Sequence, residues 1–283
     1  MPINLNNLNN FKIENNRVVL TSRYLESQRW LFKKITGTRF GSIVNLNKYN
    51  TPFKTWMGMV NLYKDVIDPT LARTGNIIEP KIRDYVCKQL SINFQVYDPK
   101  AINWDVFKEN KIFGGIPDGE PIDIAGNIDY SNDLPMLEIK TSSIDTLFYK
   151  SEHNELKMVK NSDGLPVVKE KNGKRNSWFQ NGQINISNEY CMQLGLYLYL
   201  RNTTKGVFAI GFLEPKDYAN PESFDPYKHE IQIAYLEMNR NMMAQYIEYA
   251  THWYHDHIDT GISPAMTEAD QKWLKIEIER ISK

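Results

Sequence analysis

The stretch that most limits how this chain can fold is MLEIKTSS, residues 136–143, an apolar run broken by Glu138 and Lys140. Eight residues of this kind suit a strand. Side chains alternate along a strand, so Glu138 and Lys140 share one face while Leu137 and Ile139 share the other. A carboxylate and an ammonium on a strand that is otherwise apolar are costly to bury unless they are paired or bind an ion. Ahead of them lies FGGIPDG, where Asp118 occupies a turn-prone position. An acid arriving from there would set two carboxylates beside one lysine. Such a set can hold a divalent cation next to a water.

The 34 basic and 34 acidic residues cancel. Any nucleic-acid contact must therefore use a local basic surface. A length of 283 residues is read as a single domain over 1–283. Within it we expect an N-terminal helical, DNA-contacting part at about 20–70, a core at about 71–215, and C-terminal strand and helices at about 216–283. Cys87 and Cys191 lie in helical-looking segments and read as buried thiols of a reducing compartment. No apolar run reaches membrane length, and MPINLNNLNNF lacks the order of a signal peptide. A soluble cytoplasmic protein without membrane contact is the expectation.

Along the chain, NRVVLTS reads as a short strand, and Ser22 as the cap of a helix from about Arg23 to Lys34. The glycines and Asn-Thr-Pro of the next stretch predict a loop, a short helix and another loop. ARTGNIIEPKIRDYVCKQL has helical period, with Ile78, Ile82, Tyr85 and Val86 on one face and Glu79 at its edge. SINFQVYD reads as a strand, and a loop through Trp104 leads to KIFGGIPDG and a central hairpin. The Asp-Gly and Asn-Gly pairs between 144 and 179 predict tight hairpin turns. NEYCMQLGLYLYL is a helix apolar nearly all round, with Gln193 as its polar exception. GVFAIGFLEP and HEIQIAYLEMN are strands, and two amphipathic helices close the chain. That order predicts an α/β fold with a mixed central sheet flanked by helices.

Each candidate site has a bland reading beside the sharp one. Lys33, Lys34 and Arg39 form either a solvated basic loop or a phosphate contact. Lys157, Lys160, Lys169, Lys171, Lys174 and Arg175 read as a solvated excursion, with a DNA-clamping hairpin as the alternative. His252, His255 and His257 lack an acid or cysteine set at zinc spacing. Glu79 alone is as consistent with a surface glutamate.

Phosphodiester hydrolysis needs a nucleophilic water, a line of attack and charge relief, and two divalent ions about 3.5–4 Å apart provide all three. Magnesium prefers hard oxygen ligands and keeps several waters. Asp118 and Glu138 would supply carboxylate oxygens, the Ile139 carbonyl another, and Glu79 would complete a second ion's sphere. Lys140 would orient the water.

P-D-G followed by E-I-K resembles the PD-(D/E)XK nuclease signature. Further segments resemble the phage lambda exonuclease and YqaJ-type alkaline exonucleases. KKITGTRFGSIV is similar to their I-T-A-S segment, TGNIIEP to G-x-x-x-E at Glu79, GIPDG to S-P-D-G, and LEIKTS to L-E-x-K-C. YCMQLGLYLYL is similar to their core-ending helix with Gln193, and through Tyr197 to the RecB-like Q-x-x-x-Y. These five segments, in order, cover roughly residues 30–200. The resemblance implies a restriction-endonuclease-like core and a magnesium-dependent DNA exonuclease, with manganese able to substitute. It also implies a single-strand annealing protein as partner, and a homo-oligomer. Three features depart from the pattern. Asp118 precedes Glu138 by twenty positions, which offers Asp129 in GNIDY as a rival ligand; Asp118 is favoured because GGIPDG follows the expected strand. Ile116 stands where the family has a phosphate-binding serine. No arginine precedes the I-T-A-S-like segment in register, which leaves Lys33 and Lys34 nearby, and Thr38 would replace that segment's serine. The alternatives are an endonuclease of the same superfamily, a non-catalytic DNA-binding protein on this fold, and, less favoured, a two-carboxylate glycosidase.

Overall fold

The computed structural model describes residues 8–47, 50–64, 68–152 and 155–281. Its first element is an antiparallel hairpin, β1 (Phe11–Glu14) and β2 (Arg17–Leu20). Asn15 and Asn16 turn it at positive φ, which a two-residue hairpin needs and asparagine tolerates. Distant chain clasps this hairpin: Leu20 N donates to Gly261 O at 2.9 Å, and Ser263 N to Val18 O at 2.8 Å. Helix α1 (Ser22–Gln28) starts at Thr21, whose Oγ1 accepts from Tyr24 N, one residue ahead of the expected cap. It stops well before Lys34: only Tyr24 and Leu25 pack against the core, none of its residues is fully buried, and a short helix with so little packing is marginal.

The next stretch departs from the expected single short helix between two loops. It holds two short helices, α2 (Gly37–Ile43) and α3 (Pro52–Met59). Burial sustains them: Phe40, Ile43, Trp56, Met57 and Met59 have no exposed surface. Helix α4 (Pro69–Leu90) begins earlier than its period suggested, since the Asp68 side chain accepts from Thr70 N and Pro69 takes the first helical position. Thr74, Ile78, Ile82 and Val86 form its buried stripe, with Tyr85 beside it.

After β3 (Asn93–Gln95) the strand expected just ahead of GGIPDG does not form. Residues 112–118 are a loop in which only Phe113 bridges Ile35. The Asp105 side chain shapes it by accepting from Phe107 N and Gly115 N, and Gly115 sits at φ +126. Then come β4 (Glu120–Ile122) and β5 (Met136–Ser143). A small-stranded excursion follows: β6 (Thr146–Leu147), β7 (Tyr149–Glu152), β8 (Glu155–Met158) and β9 (Val168–Glu170). Asp163-Gly164 turns the chain between the paired Lys160 and Pro166, as expected. Asn172-Gly173 does not make a hairpin. The Asp145 carboxylate captures Asn172 N at 2.9 Å, and α5 (Gly173–Asn176) begins there. After β10 (Phe179–Gln180) and β11 (Gln183–Ile184), α6 (Asn188–Leu200) returns to the core. The chain closes with β12 (Lys205–Leu213), α7 (Pro215–Ala219), β13 (Ile231–Glu237), α8 (Arg240–Trp253) and α9 (Glu268–Ile281).

The central sheet is ordered β13-β12-β5, with β12 antiparallel to β13 and parallel to β5. Gly119 and Leu137 exchange backbone hydrogen bonds, which carries β4, and β3 beyond it, alongside β5. Strand β12 is covered on both faces, which explains its nearly continuous apolar run. Phe208, Ile210 and Phe212 pack with α2, α3, α6 and α8, while Val207, Ala209 and Leu213 pack with α4. On β5, Leu137 and Ile139 join the α4 side, which leaves Glu138 and Lys140 facing α6. The fold is thus mixed α/β, a mixed sheet flanked by helices, as the element order predicts.

Candidate active site

Lys140 Nζ donates to Glu138 Oε1 at 2.5 Å on its own strand and to Gln193 Oε1 at 3.1 Å on α6. Glu138 is 1% exposed, and its other oxygen, Oε2, has no hydrogen-bond partner. An unpartnered buried polar atom costs about 1–3 kcal/mol, more when charged. Asp118 comes from the 112–118 loop, and its Oδ2 accepts from Ile139 N at 2.7 Å. A strand residue presents N–H and C=O to the same edge. Leu137 uses both on Gly119, so the Ile139 carbonyl faces the edge where its N–H meets Asp118.

Glu79 approaches from α4, the other flank of the sheet. Burial raises its carboxyl, Asp118 raises it further, and Lys140 opposes. Burial likewise raises Asp118 against the pull of Lys140. Glu138 is pushed up to about 8, first by burial and then by Asp118. Burial alone would lower Lys140, but Glu138 and then Asp118 outweigh it and hold the ammonium above its usual value. Three carboxyls against one ammonium leave the site short of positive charge. Glu79, Asp118 and Lys140 keep partial exposure, so solvent reaches the cluster.

Among the described residues no three His, Cys, Asp or Glu side chains form a ready-made metal cage. The donors that do converge are two carboxylates and a carbonyl. Magnesium is usually held by one or two carboxylates and completes its shell with water and phosphate oxygens, so this set fits such an ion. The unpartnered Glu138 oxygen is the position a cation would satisfy.

The rival ligand is not brought here. Asp129 Oδ1 accepts from Ser131 N at 2.8 Å within its own loop, and its backbone N–H is tied to Pro121 O. Of the expected DNA-contacting group, Lys34 is neutralised by Asp105 at 2.6 Å and also donates to Phe107 O. Lys33 Nζ donates to Gly58 O, and Arg39 to Lys34 O at 2.7 Å. Thr38 is exposed beside Thr36. In the basic excursion, Lys171 pairs with Asp145, and Arg175 holds Glu230 through two bonds. Of the three histidines, His255 pairs with Asp259 at 2.6 Å and His257 Nδ1 lies 3.0 Å from Ile262 O.

No family model matches the chain. Over 266 residues it is 51% identical to a Mycoplasma genitalium protein named Uncharacterized protein MG373, spanning 94% of this chain and 95% of that one. The Mycoplasma pneumoniae homolog is 49% identical over the same shares. The chain belongs to the MG373 family. Among solved structures, an alkaline exonuclease (LHK-Exo) from Laribacter hongkongensis overlays with a TM-score of 0.46 at 12% identity, covering 92% of this chain and all of that one. The same protein in complex with dAMP gives 0.46 at 11%.

In this MG373-family chain the cluster has members that the motifs did not name. Lys140 Nζ lies 4.9 Å from the centre of the Tyr190 ring. Trp178 stacks on Tyr190 at 5.5 Å and donates to Ser142 Oγ. Glu189, raised by burial and opposed by Lys140, accepts from Asn47 Nδ2 at 2.9 Å. Arg83 Nε donates to the Asp118 carbonyl. Tyr190 and Glu189 lie three and four residues before Gln193, so helix spacing alone could have named them. Nothing local marks Trp178 or Arg83.

Proposed function

We propose that the chain is a magnesium-dependent deoxyribonuclease that hydrolyses phosphodiester bonds from the ends of linear duplex DNA. One observation carries this reading: the buried, unpartnered Glu138 oxygen beside the Asp118 carboxylate and the Lys140 ammonium. The five ordered segments that resemble PD-(D/E)XK alkaline exonucleases support it. Asp118, Glu138 and the Ile139 carbonyl would hold magnesium, or manganese in its place, and Glu79 would serve a second ion directly or through water. Bound there, such ions supply charge relief at the phosphate and acidify a bound water.

The chain's own residues do the rest. Lys140 has three N–H donors. Glu138 and Gln193 take two, which leaves one for an attacking water. Its positive charge favours the hydroxide form of that water. Gln193 and the Tyr190 ring limit where the ammonium can go, so the remaining donor is already oriented before substrate arrives. End-labelled linear duplex should lose its label with magnesium and keep it with a chelator. Equal release in both conditions would remove the metal from the mechanism.

A further inference from the structure

The first helix and the chain beyond α3 enclose an open cleft of about 820 Å³ that the hydrolytic cluster does not use. Arg23, Lys33 and Lys64 line it, with the amides of Asn10, Gln28 and Asn61, and no acidic side chain does so among the described residues. Lys33 is half-buried there, and its ammonium is lowered first by burial and then by the charges of Arg39 and Lys64. Arg23 and Lys64 are exposed and form no ion pair among the described residues. Trp30, next in sequence to the lining Leu31, is 78% exposed. Its ring is held in place by a hydrogen bond from Nε1 to the carbonyl of Ser27, itself a lining residue.

A large aromatic fixed in the open, and tied to a residue that lines a basic cleft, is poorly explained by folding. It is what unpaired bases and their phosphates require: a stacking face and a basic groove. A duplex hides its base faces and would leave the indole idle. The cleft also lies near the chemistry. Lys33 precedes Gly37 by four residues, at most about 14 Å of chain. A methyl carbon built on Gly37 would lie 2.5 Å from Gln193 Cγ, and Gln193 holds Lys140.

We infer that this cleft binds a single nucleic-acid strand on its way to or from the cluster around Lys140. The inference rests on the nuclease reading for its direction, but its test does not require cleavage. Fluorescence anisotropy of the whole chain, in chelator, with a labelled oligothymidylate of about 16 nucleotides and a duplex of equal length, decides it. The single strand should bind. Arg23→Glu with Lys64→Glu should weaken binding at least tenfold and flatten the salt slope by about 1.4, at roughly 0.7 per lost cation. Trp30→Ala should weaken it about fivefold or more, the worth of one stacked base. All three positions are exposed, so the variants should fold, which circular dichroism verifies. Unchanged affinity in these variants overturns the inference, as does a duplex that binds more tightly with Trp30 irrelevant. If the unaltered chain binds the strand but releases no label from linear duplex with magnesium, the hydrolase reading falls while the cleft stands.

Discussion

Lys140→Ala removes the ammonium and leaves the carboxylates in place. Cleavage should drop by ~10²-fold or more, the usual loss when a positioned proton-handling group is removed. Duplex affinity measured without metal should change little, and a variant that cuts at full rate would remove Lys140 from the chemistry. Glu138 makes a second prediction, about stability. Its folded carboxyl sits at about 8, against 4.5 ordinarily. The folded chain therefore keeps a proton that the unfolded chain has lost, so the stabilisation is complete below 4.5 and is lost as pH climbs to 8. Glu79 and Asp118, also raised, act in the same sense. His257 opposes them below its ordinary 6.5, because burial lowers its ring. Between pH 6.5 and 8, then, the melting temperature in chelator should fall. Glu138→Gln should flatten the fall, and magnesium should reverse it. A parallel decline in both proteins would disconnect Glu138 from the effect.

At the scale of elements, α6 and the 112–118 loop hold each other. Tyr197 Oη accepts from Gly37 N at 3.3 Å, and a methyl carbon at Gly115 would lie 2.5 Å from the same oxygen. Gly115 is also at φ +126, where a side chain is strained. Gly115→Ala should cost about 1–3 kcal/mol in a denaturant melt. It should also depress cleavage, because α6 carries Gln193. Normal stability would mean that the loop yields without moving the helix. The far end of α6 is fixed separately: Arg201 forks onto the buried Glu120, which Tyr97 also meets. Helices α4 and α6 and strands β12 and β13 were legible because their periods are local. Asp118, Glu138, Lys140, Gln193 and Glu79 were named from residue type and motif order; in the structure Lys140 bonds both Glu138 and Gln193, and Asp118 accepts from the Ile139 N–H between Glu138 and Lys140. Helices α2 and α3 were read as mostly loop because their stability comes from burying Phe40 and Trp56 against distant chain, which no window of sequence displays. The 112–118 segment misled for a like reason, since Asp105 and Ile35 dictate its path.

For the molecule as a whole, the equal numbers of acids and bases make any grip on DNA a matter of where charge is placed. An enzyme that works from ends should degrade linear duplex and spare a covalently closed circle of the same sequence. Nicking or linearisation of the circle at a comparable rate would point to internal cutting. The excursion from β6 to β11 pairs cations with acids just outside it, as Arg175 does with Glu230 ahead of β13, which reduces the charge it could lend to a clamp. The clasp between β2 and the chain at Gly261–Ser263 bears on biogenesis. Val18 N donates to Ser263 Oγ across 245 positions. At roughly 5–20 residues per second, a ribosome makes that partner only about 12–50 s later. Throughout translation the leading hairpin waits with a bare edge, open to proteases and to neighbouring polysomes.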